Sequence, residues 1–345
     1  KLTNQSLNTA IEQLSSYNEP KGEIGLRIEI MKYLNQYRGI RCNPEQIIIC
    51  SGTQPCLNLL CQLFKNDFNH LAMEDPGYDG ARYVFENLGY QVIPIDVKRD
   101  GIDITQLART SAKLLYITPS HQFPMGCVTS IQKRLKLLDW AVKNEGIIIE
   151  DDYDSELRYS GRPIPSLQCN DFNERVVYIG TFSKSLSPAL RMSYMVLPKR
   201  LLNQYNTVFT EYESSVPWLN QKTLELFMRE GHWENHLRKI CLSNKKKHDL
   251  LVKTIEKCMG DRVTVHGKNA GLHILLEVHS QLKENELIEK ARNKKIKVYP
   301  VSQYWIRQHV YDDNFIMLGF SSLTEKEIIE GIPILKEVWL DETQK

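Results

Sequence analysis

The chain has almost no net charge. Its 345 residues carry 44 Lys and Arg against 42 Asp and Glu, a formal +2 at pH 7. That gives no sign of a strongly basic nucleic-acid surface on this chain. No apolar run approaches the roughly 20 residues that span a membrane. The first residues, KLTNQSLNTAIEQL, lack the apolar core of a signal peptide and do not start with Met. The expectation is a fragment or a processed chain. None of the eight cysteines forms a CxxC pair, so buried or free thiols in a reducing cytoplasm are expected. There is no Walker A sequence, and no G-x-G-x-x-G follows a strand-like run, which leaves a nucleotide-binding reading little support. Internal repeats and low-complexity linkers are also missing.

What is present is an alternation. Residues 22–38 carry apolar side chains at helical spacing. Short apolar runs then alternate with helical stretches: QIIIC (46–50) before PCLNLLCQLF (55–64), HLAME (70–74) before a helix around 79–88, QVIPI (91–95), KLLYIT (113–118), a helix at 130–143 before GIIIE (146–150), VVYIG (176–180) and SYMVL (193–197). Runs buried on both faces are what a largely parallel sheet under helices requires. From about 217 the pattern changes to helix-rich sequence with strand signals at LHILLEV (272–278) and FIMLGF (315–320). The expected division is a large domain over 1–216 and a smaller α+β domain over 217–345.

Open α/β sheets place ligands at the carboxyl ends of their strands, so the residues following each run are the candidates. They are Ser51-Gly52-Thr53, Asp75-Pro76-Gly77-Tyr78, Pro119-Ser120-His121-Gln122-Phe123-Pro124, Asp151-Asp152-Tyr153 and Thr181-Phe182-Ser183-Lys184, with Arg191 seven residues on. Ser51-Gly52-Thr53 opens a helix, so its N–H groups and hydroxyls could hold a phosphate or merely cap the helix. Asp151 could pair with a protonated ring nitrogen or cap a turn. Tyr153 could donate to a phenolate oxygen or be a core tyrosine. Tyr78 could stack on a flat ring. Arg191 could bind phosphate bidentately. Lys184 could form a Schiff base if its pKa is lowered. Order and spacing together, and no single residue, carry the inference.

EDDYDSE followed by GTFSKSLSPALR resembles the carboxylate-to-lysine segment of the fold-type-I pyridoxal-phosphate proteins, the aspartate aminotransferase-like fold. The likeness runs over nearly the whole chain. It implies that Lys184 forms the Schiff base with pyridoxal 5'-phosphate and that Asp151 pairs with the ring nitrogen, making the cofactor an electron sink. It implies that Tyr153 contacts the ring oxygen and Tyr78 stacks. Ser51, Gly52, Thr53, Thr181, Ser183 and Arg191 would hold the phosphate, His121 would lie at the cofactor, and Tyr17 of the neighbouring subunit of a homodimer would reach it. TPSHQFPMG, EDPGYDGAR, EDDYDSELRYSGRPIPSLQ and GTFSKSLSPALR are similar to one branch, the MocR-type transcription regulators of the GntR class, which include GABA-responsive members. There, a winged-helix DNA-binding domain precedes an aminotransferase-like domain that binds an effector and dimerises. The implied function is effector sensing, with an amine bound as an external aldimine and DNA bound only through the winged helix. The alternative is an aminotransferase or related enzyme.

Two departures bear on that choice. His121-Gln122-Phe123-Pro124 stands where catalytic relatives commonly carry N-P-x-G. Ser322 stands where such enzymes usually place an arginine for the substrate carboxylate, and Tyr78 is followed by Asp79-Gly80 where the GABA-responsive members have an arginine shortly after the stacking tyrosine. GABA and ordinary α-amino acids both lose support. His232 and His236 are four apart with no third ligand in sequence, so no metal is expected. Lys245-Lys246-Lys247-His248 is expected to be a solvated helix face, and Asp152, Asp154 and Glu156 to belong to a turn.

Overall fold

The computed structural model describes residues 2–9, 17–159, 165–307 and 313–341. Among these, eight strands form one sheet: β1 (Ile47–Cys50), β2 (His70–Asp75), β3 (Gln91–Lys98), β4 (Gly101–Ile102), β5 (Leu114–Ile117), β6 (Ile147–Asp152), β7 (Val176–Thr181) and β8 (Ser193–Val196). Their order is β1-β8-β7-β6-β5-β2-β3-β4. β7, β6, β5, β2 and β3 run parallel, while β8 is antiparallel to both its neighbours. The expected mostly parallel sheet is therefore present. β1, β5, β6, β7 and β8 are buried along their full length, which is why their sequences are unbroken apolar runs.

Alternate residues of these runs serve two cores. Ile48 and Cys50 face the helix Thr53–Phe64, which buries Cys56, Leu57, Leu60, Cys61 and Phe64 against the sheet. Ile47 and Ile49 face the helix Ile24–Arg38. Further along, Leu115, Ile117 and Ile148 meet the helix Ile131–Lys143, whose start is capped by the Ser130 side chain. All eight cysteines are free thiols. Among the described residues no helix is long and apolar enough to cross a membrane.

A second sheet of four antiparallel strands has the order β11-β12-β10-β9, from β9 (Val263–His266), β10 (His273–Val278), β11 (Tyr299–Pro300) and β12 (Phe315–Gly319). Ile274, Leu276 and Val278 of β10 pack into a core of their own with Leu251, Ile255 and Trp339. The opposite face, with Leu275 and Met317, packs on Phe123, Met125 and Tyr304. There is no break in packing at 216/217. Val216, Leu224, Met228, Trp233 and Leu237 all belong to the core of the helix Ile24–Arg38. The 28-residue helix His232–Met259 runs from that core into the second one.

The segment after Val301, which opens with a 3-10 turn (Ser302–Tyr304), also crosses between the sheets. Asp75, at the end of β2, accepts from the backbone N–H of Ile306 at 2.7 Å and pairs with the Arg307 guanidinium at 2.8 Å. Arg307 also pairs with Asp96. Arg82 donates to the Trp305 carbonyl at 3.1 Å, and Tyr304 lies edge-on to Phe123 at 4.7 Å.

Candidate functional site

β1, β2, β5, β6 and β7 end on one side of the large sheet, and the side chains that follow them surround a cavity of about 300 Å³. Asp151 comes from the end of β6, Thr181 from the end of β7 and Thr118 from just beyond β5. Tyr78 precedes the helix Asp79–Asn87. Thr53, Tyr153, Ser183, Lys184 and Arg191 complete the expected part of the wall.

Asp151 is buried, and its Oδ2 accepts from the Tyr116 hydroxyl at 2.6 Å. Its Oδ1 is sealed from solvent and has no partner among the described residues. Burial pushes the carboxyl up to about 7, against the Tyr116 hydrogen bond and with Asp152 and Asp154 adding repulsion. A carboxylate with one oxygen anchored and one bare is built to receive a cationic donor.

Lys184 lies in the turn after Thr181 and is exposed to the cavity. Ser183 N–H donates to Thr181 Oγ1 at 3.2 Å, and Ser193 Oγ donates to the same oxygen at 2.8 Å, which holds the turn. Gly52 has φ +120°, and a Cβ there would stand 2.6 Å from Arg191 Nη2. Only glycine lets the guanidinium lie across the start of the helix Thr53–Phe64, where free N–H groups and a cation converge as they do around phosphates.

Tyr153 OH is 3.1 Å from His121 Nδ1, and Asp154 Oδ2 is 2.8 Å from the same nitrogen. A nitrogen that donates its proton to the carboxylate cannot accept one from the phenol. The Tyr153 hydroxyl hydrogen is thus left for the cavity. Tyr78 packs edge-on to Phe123 at 6.1 Å. Burial first, and then Asp151, push its phenol up to about 12.

Several expectations need correction. His121 does not line the cavity; it is 1 % exposed and sits behind Tyr153, held by Asp154. Ser51 and Gly52 also stand outside the wall: Ser51 is hydrogen-bonded to the Ser215 hydroxyl at 3.0 Å, and Gly52 serves by making room for Arg191. Tyr17, expected at the neighbouring subunit's cavity, is 87 % exposed and does not line the cavity of its own chain, which is compatible with that expectation. His248 is not on a solvated face; it is buried and stacked on Tyr159 at 4.7 Å. Lys247 donates to the Ser321 carbonyl at 2.6 Å. Asp152 is an ion-pair member, 2.7 Å from Arg38, and Asp154 serves His121. His236 Nε2 meets the Ser185 carbonyl at 2.8 Å.

Sequence reasoning missed Gln54, Tyr116, Thr118, Pro188, Leu272 and His273 as wall residues, and gave Asp154, which also lines the wall, to a turn. Two signals were available. Tyr116 is two residues from Thr118 along an alternating strand. His273 is two residues before Leu275, on the face of β10 that looks toward Phe123.

The model of the family described as aminotransferase class I and II matches residues 2–331. The HTH-type transcriptional regulator YdeL of Bacillus subtilis is 43 % identical over 92 % of this chain and 68 % of its own length. The chain belongs to the class I and II aminotransferase family, in its MocR-type regulator branch. A second relative, the probable rhizopine catabolism regulatory protein MocR of Rhizobium meliloti, is 32 % identical over 95 % of the chain and 66 % of its own length. The chain thus spans about two thirds of these regulators. A solved Pyrococcus horikoshii kynurenine aminotransferase in complex with PMP is 26 % identical, with a TM-score of 0.87 over 99 % of this chain and 87 % of that one. The aminotransferase-like domain described here has pyridoxal 5'-phosphate as its cofactor. The cavity fits it: a bare buried oxygen for the ring nitrogen, a helix start with an arginine for the phosphate, and a lysine between them.

Proposed function

We propose that this aminotransferase-like domain senses a small amine for a DNA-binding segment of the full-length regulator and does not turn over amino acids. When bound, pyridoxal phosphate supplies an aldehyde carbon that condenses with amines and a ring that accepts electron pairs. The chain's own residues hold and orient it. Lys184 is the amine that tethers it, and Asp151 Oδ1 receives the ring N–H. Thr53, Thr181, Ser183 and Arg191 hold the phosphate, with Gly52 giving Arg191 its place. Tyr153 donates to the ring oxygen and Tyr78 covers the ring. His121 acts only through Tyr153, by occupying its nitrogen with Asp154.

One observation carries the sensor reading. Among the described residues, the basic side chains of the cavity wall are Lys184, Arg191 and His273. Lys184 and Arg191 are taken by the cofactor. His273 is kept neutral, its pKa pushed down to about 3 by burial and by His121 and Lys184. Among the described residues of the wall, no bidentate clamp for an α-carboxylate is left. Ser322 lines an adjoining groove, which shares Ser183, Lys184, Pro188 and Leu272 with the cavity wall. The complete lysine and carboxylate pair favours a second reading, an aminotransferase with an unusual substrate.

The domain acts as a homodimer, with Tyr17 of each subunit directed to the other's cavity. Ligand binding favours one arrangement of the two sheets, and the DNA-binding segment reads it. Borohydride should fix the cofactor to Lys184 and to no other lysine, read by peptide mass. Titration with small amines should shift the cofactor absorbance without steady release of carbonyl product. Fast multiple turnover of L-amino acids would overturn the sensor reading.

A further inference from the structure

Some wall residues have no assigned role at the cofactor. Of these, Tyr116, Thr118 and Asp154 are engaged with Asp151, Glu74 and His121. Gln54 lies in the first turn of the helix Thr53–Phe64. Phe123, Leu272, Pro188 and His273 remain. Three of these four are apolar, so His273, packed against Phe123, sets which polar group that side of the cavity can receive.

Its geometry fixes its hydrogen-bonding character. Nε2 lies 3.3 Å from the Pro124 carbonyl oxygen. A carbonyl only accepts, so Nε2 carries the hydrogen. The neutral ring then presents a bare lone pair at Nδ1. That atom has no partner among the described residues and is not sealed from solvent. The ring is held in this orientation from several sides. It lies at 5.5 Å from both His121 and Phe123. Its backbone pairs with Gly319 in the second sheet. His273 opens β10, next to Gly271, whose φ of +83° brings the chain against His121. The cavity thus ends in a fixed neutral acceptor.

We infer that His273 Nδ1 is the specificity-determining acceptor of the ligand site, and that the ligand is a primary amine bearing a neutral hydrogen-bond donor on the neighbouring carbon, a hydroxyl or an amide N–H, in place of a carboxylate. This rests on the reading of the cavity as an amine site. A carboxylate at the same place would set its oxygen lone pairs against that of Nδ1, inside an enclosed site where an unmatched charge is costly. An alcohol or amide donates to Nδ1 and needs no counter-charge. Burial and the nearby Lys184 oppose protonation of the ring, which keeps the acceptor an acceptor at neutral pH.

The test uses the cofactor-loaded domain and three ligands of one carbon frame: alaninol, alaninamide and alanine. Calorimetry reads affinity, and absorbance reads contact with the cofactor. Alaninol and alaninamide should each bind at least tenfold more tightly than alanine, the worth of one hydrogen bond in an enclosed site. His273→Phe should erase that preference. His273→Arg should reverse it in favour of alanine, a gain that a merely unfolded variant cannot give. Alanine binding as tightly as the other two in the unmodified domain would overturn the inference. So would a preference that survives His273→Phe, or a failure of all three to bind. Tight, donor-selective binding with no change in absorbance would instead leave His273 standing and remove the amine reading of the cofactor.

Discussion

Replacing Tyr116 by Phe tests the link between a buried hydroxyl and the cofactor. The substitution removes one oxygen from a ring that otherwise stays packed in the core, between the neighbouring strands' Met73 and Ile149. That oxygen donates to Asp151 Oδ2 at 2.6 Å, and Oδ1 has no other partner among the described residues. Hydrogen bonds to charged acceptors contribute about 1.5–3 kcal/mol. Their loss raises the midpoint of Asp151 by about 1–2 pH units, at about 1.4 kcal/mol per unit. The carboxyl already titrates at about 7 in the cofactor-free domain. In the variant it is therefore mostly protonated at neutral pH, and a neutral acid cannot anchor a ring N–H⁺. The ionised fraction at pH 7 falls from about a half to between about a tenth and a hundredth, so cofactor affinity should fall about 5–50-fold. The deficit should shrink as pH rises and Asp151 ionises in both proteins. Fluorescence titration of the cofactor-free domain from pH 6.5 to 9 measures it. Equal affinity at every pH, or a loss of the same size at every pH, would refute the argument that Tyr116 acts through the charge on Asp151.

Three further perturbations have defined outcomes. Glu74, Asp151 and Glu156 are each pushed up to about 7, chiefly by burial; between pH 5.5 and 7 the unfolded chain has released these protons and the folded one has not, so the cofactor-free domain should lose stability as pH rises, by at most about 2 kcal/mol per carboxyl. Calorimetry showing a higher Tm at pH 7.5 than at 5.5 would contradict this. Gly52→Ala should leave the fold intact by circular dichroism yet weaken cofactor binding at least about tenfold, because its Cβ displaces Arg191 and the backbone sits at φ +120°. Arg134→Met removes a fully buried guanidinium that donates to the carbonyls of Thr129, Pro119 and Pro165 and lies 3.6 Å from Glu150; urea unfolding should show a loss of about 3–5 kcal/mol, and a loss below about 1 kcal/mol would show that Glu150 is satisfied without it.

The large sheet was legible because burial on both faces forces continuous apolar runs, and their carboxyl ends then named Asp151, Thr181 and Lys184 in order. Loops gave less. The turn after β5 supplies both His121 and Phe123, and nothing in SHQFP says which of the two faces the cavity; the Asp154 carboxylate, brought there by the fold, pulls His121 behind it. The break expected near 217 followed a change in composition. Packing ignores that change, since Trp233 and Leu237 sit in the first core. Tyr116 and His273 were hidden because a strand residue reads as structural until its neighbours across the sheet are known.

The helix His232–Met259 has 28 residues, Trp233 and Leu237 locked in one core and Leu251, Ile255 and Met259 in the other. Such a rod is about 42 Å long, so a tilt of about 5° at its seated end carries the far end through about 4 Å. Rearrangements too small to disturb the packing around Trp233 become displacements the size of a side chain at Met259. The molecule carries a lever, with its fulcrum in the cofactor-bearing half and its load in the other. A shift at the Trp233 end, however it is brought about, is therefore expressed most strongly near Met259.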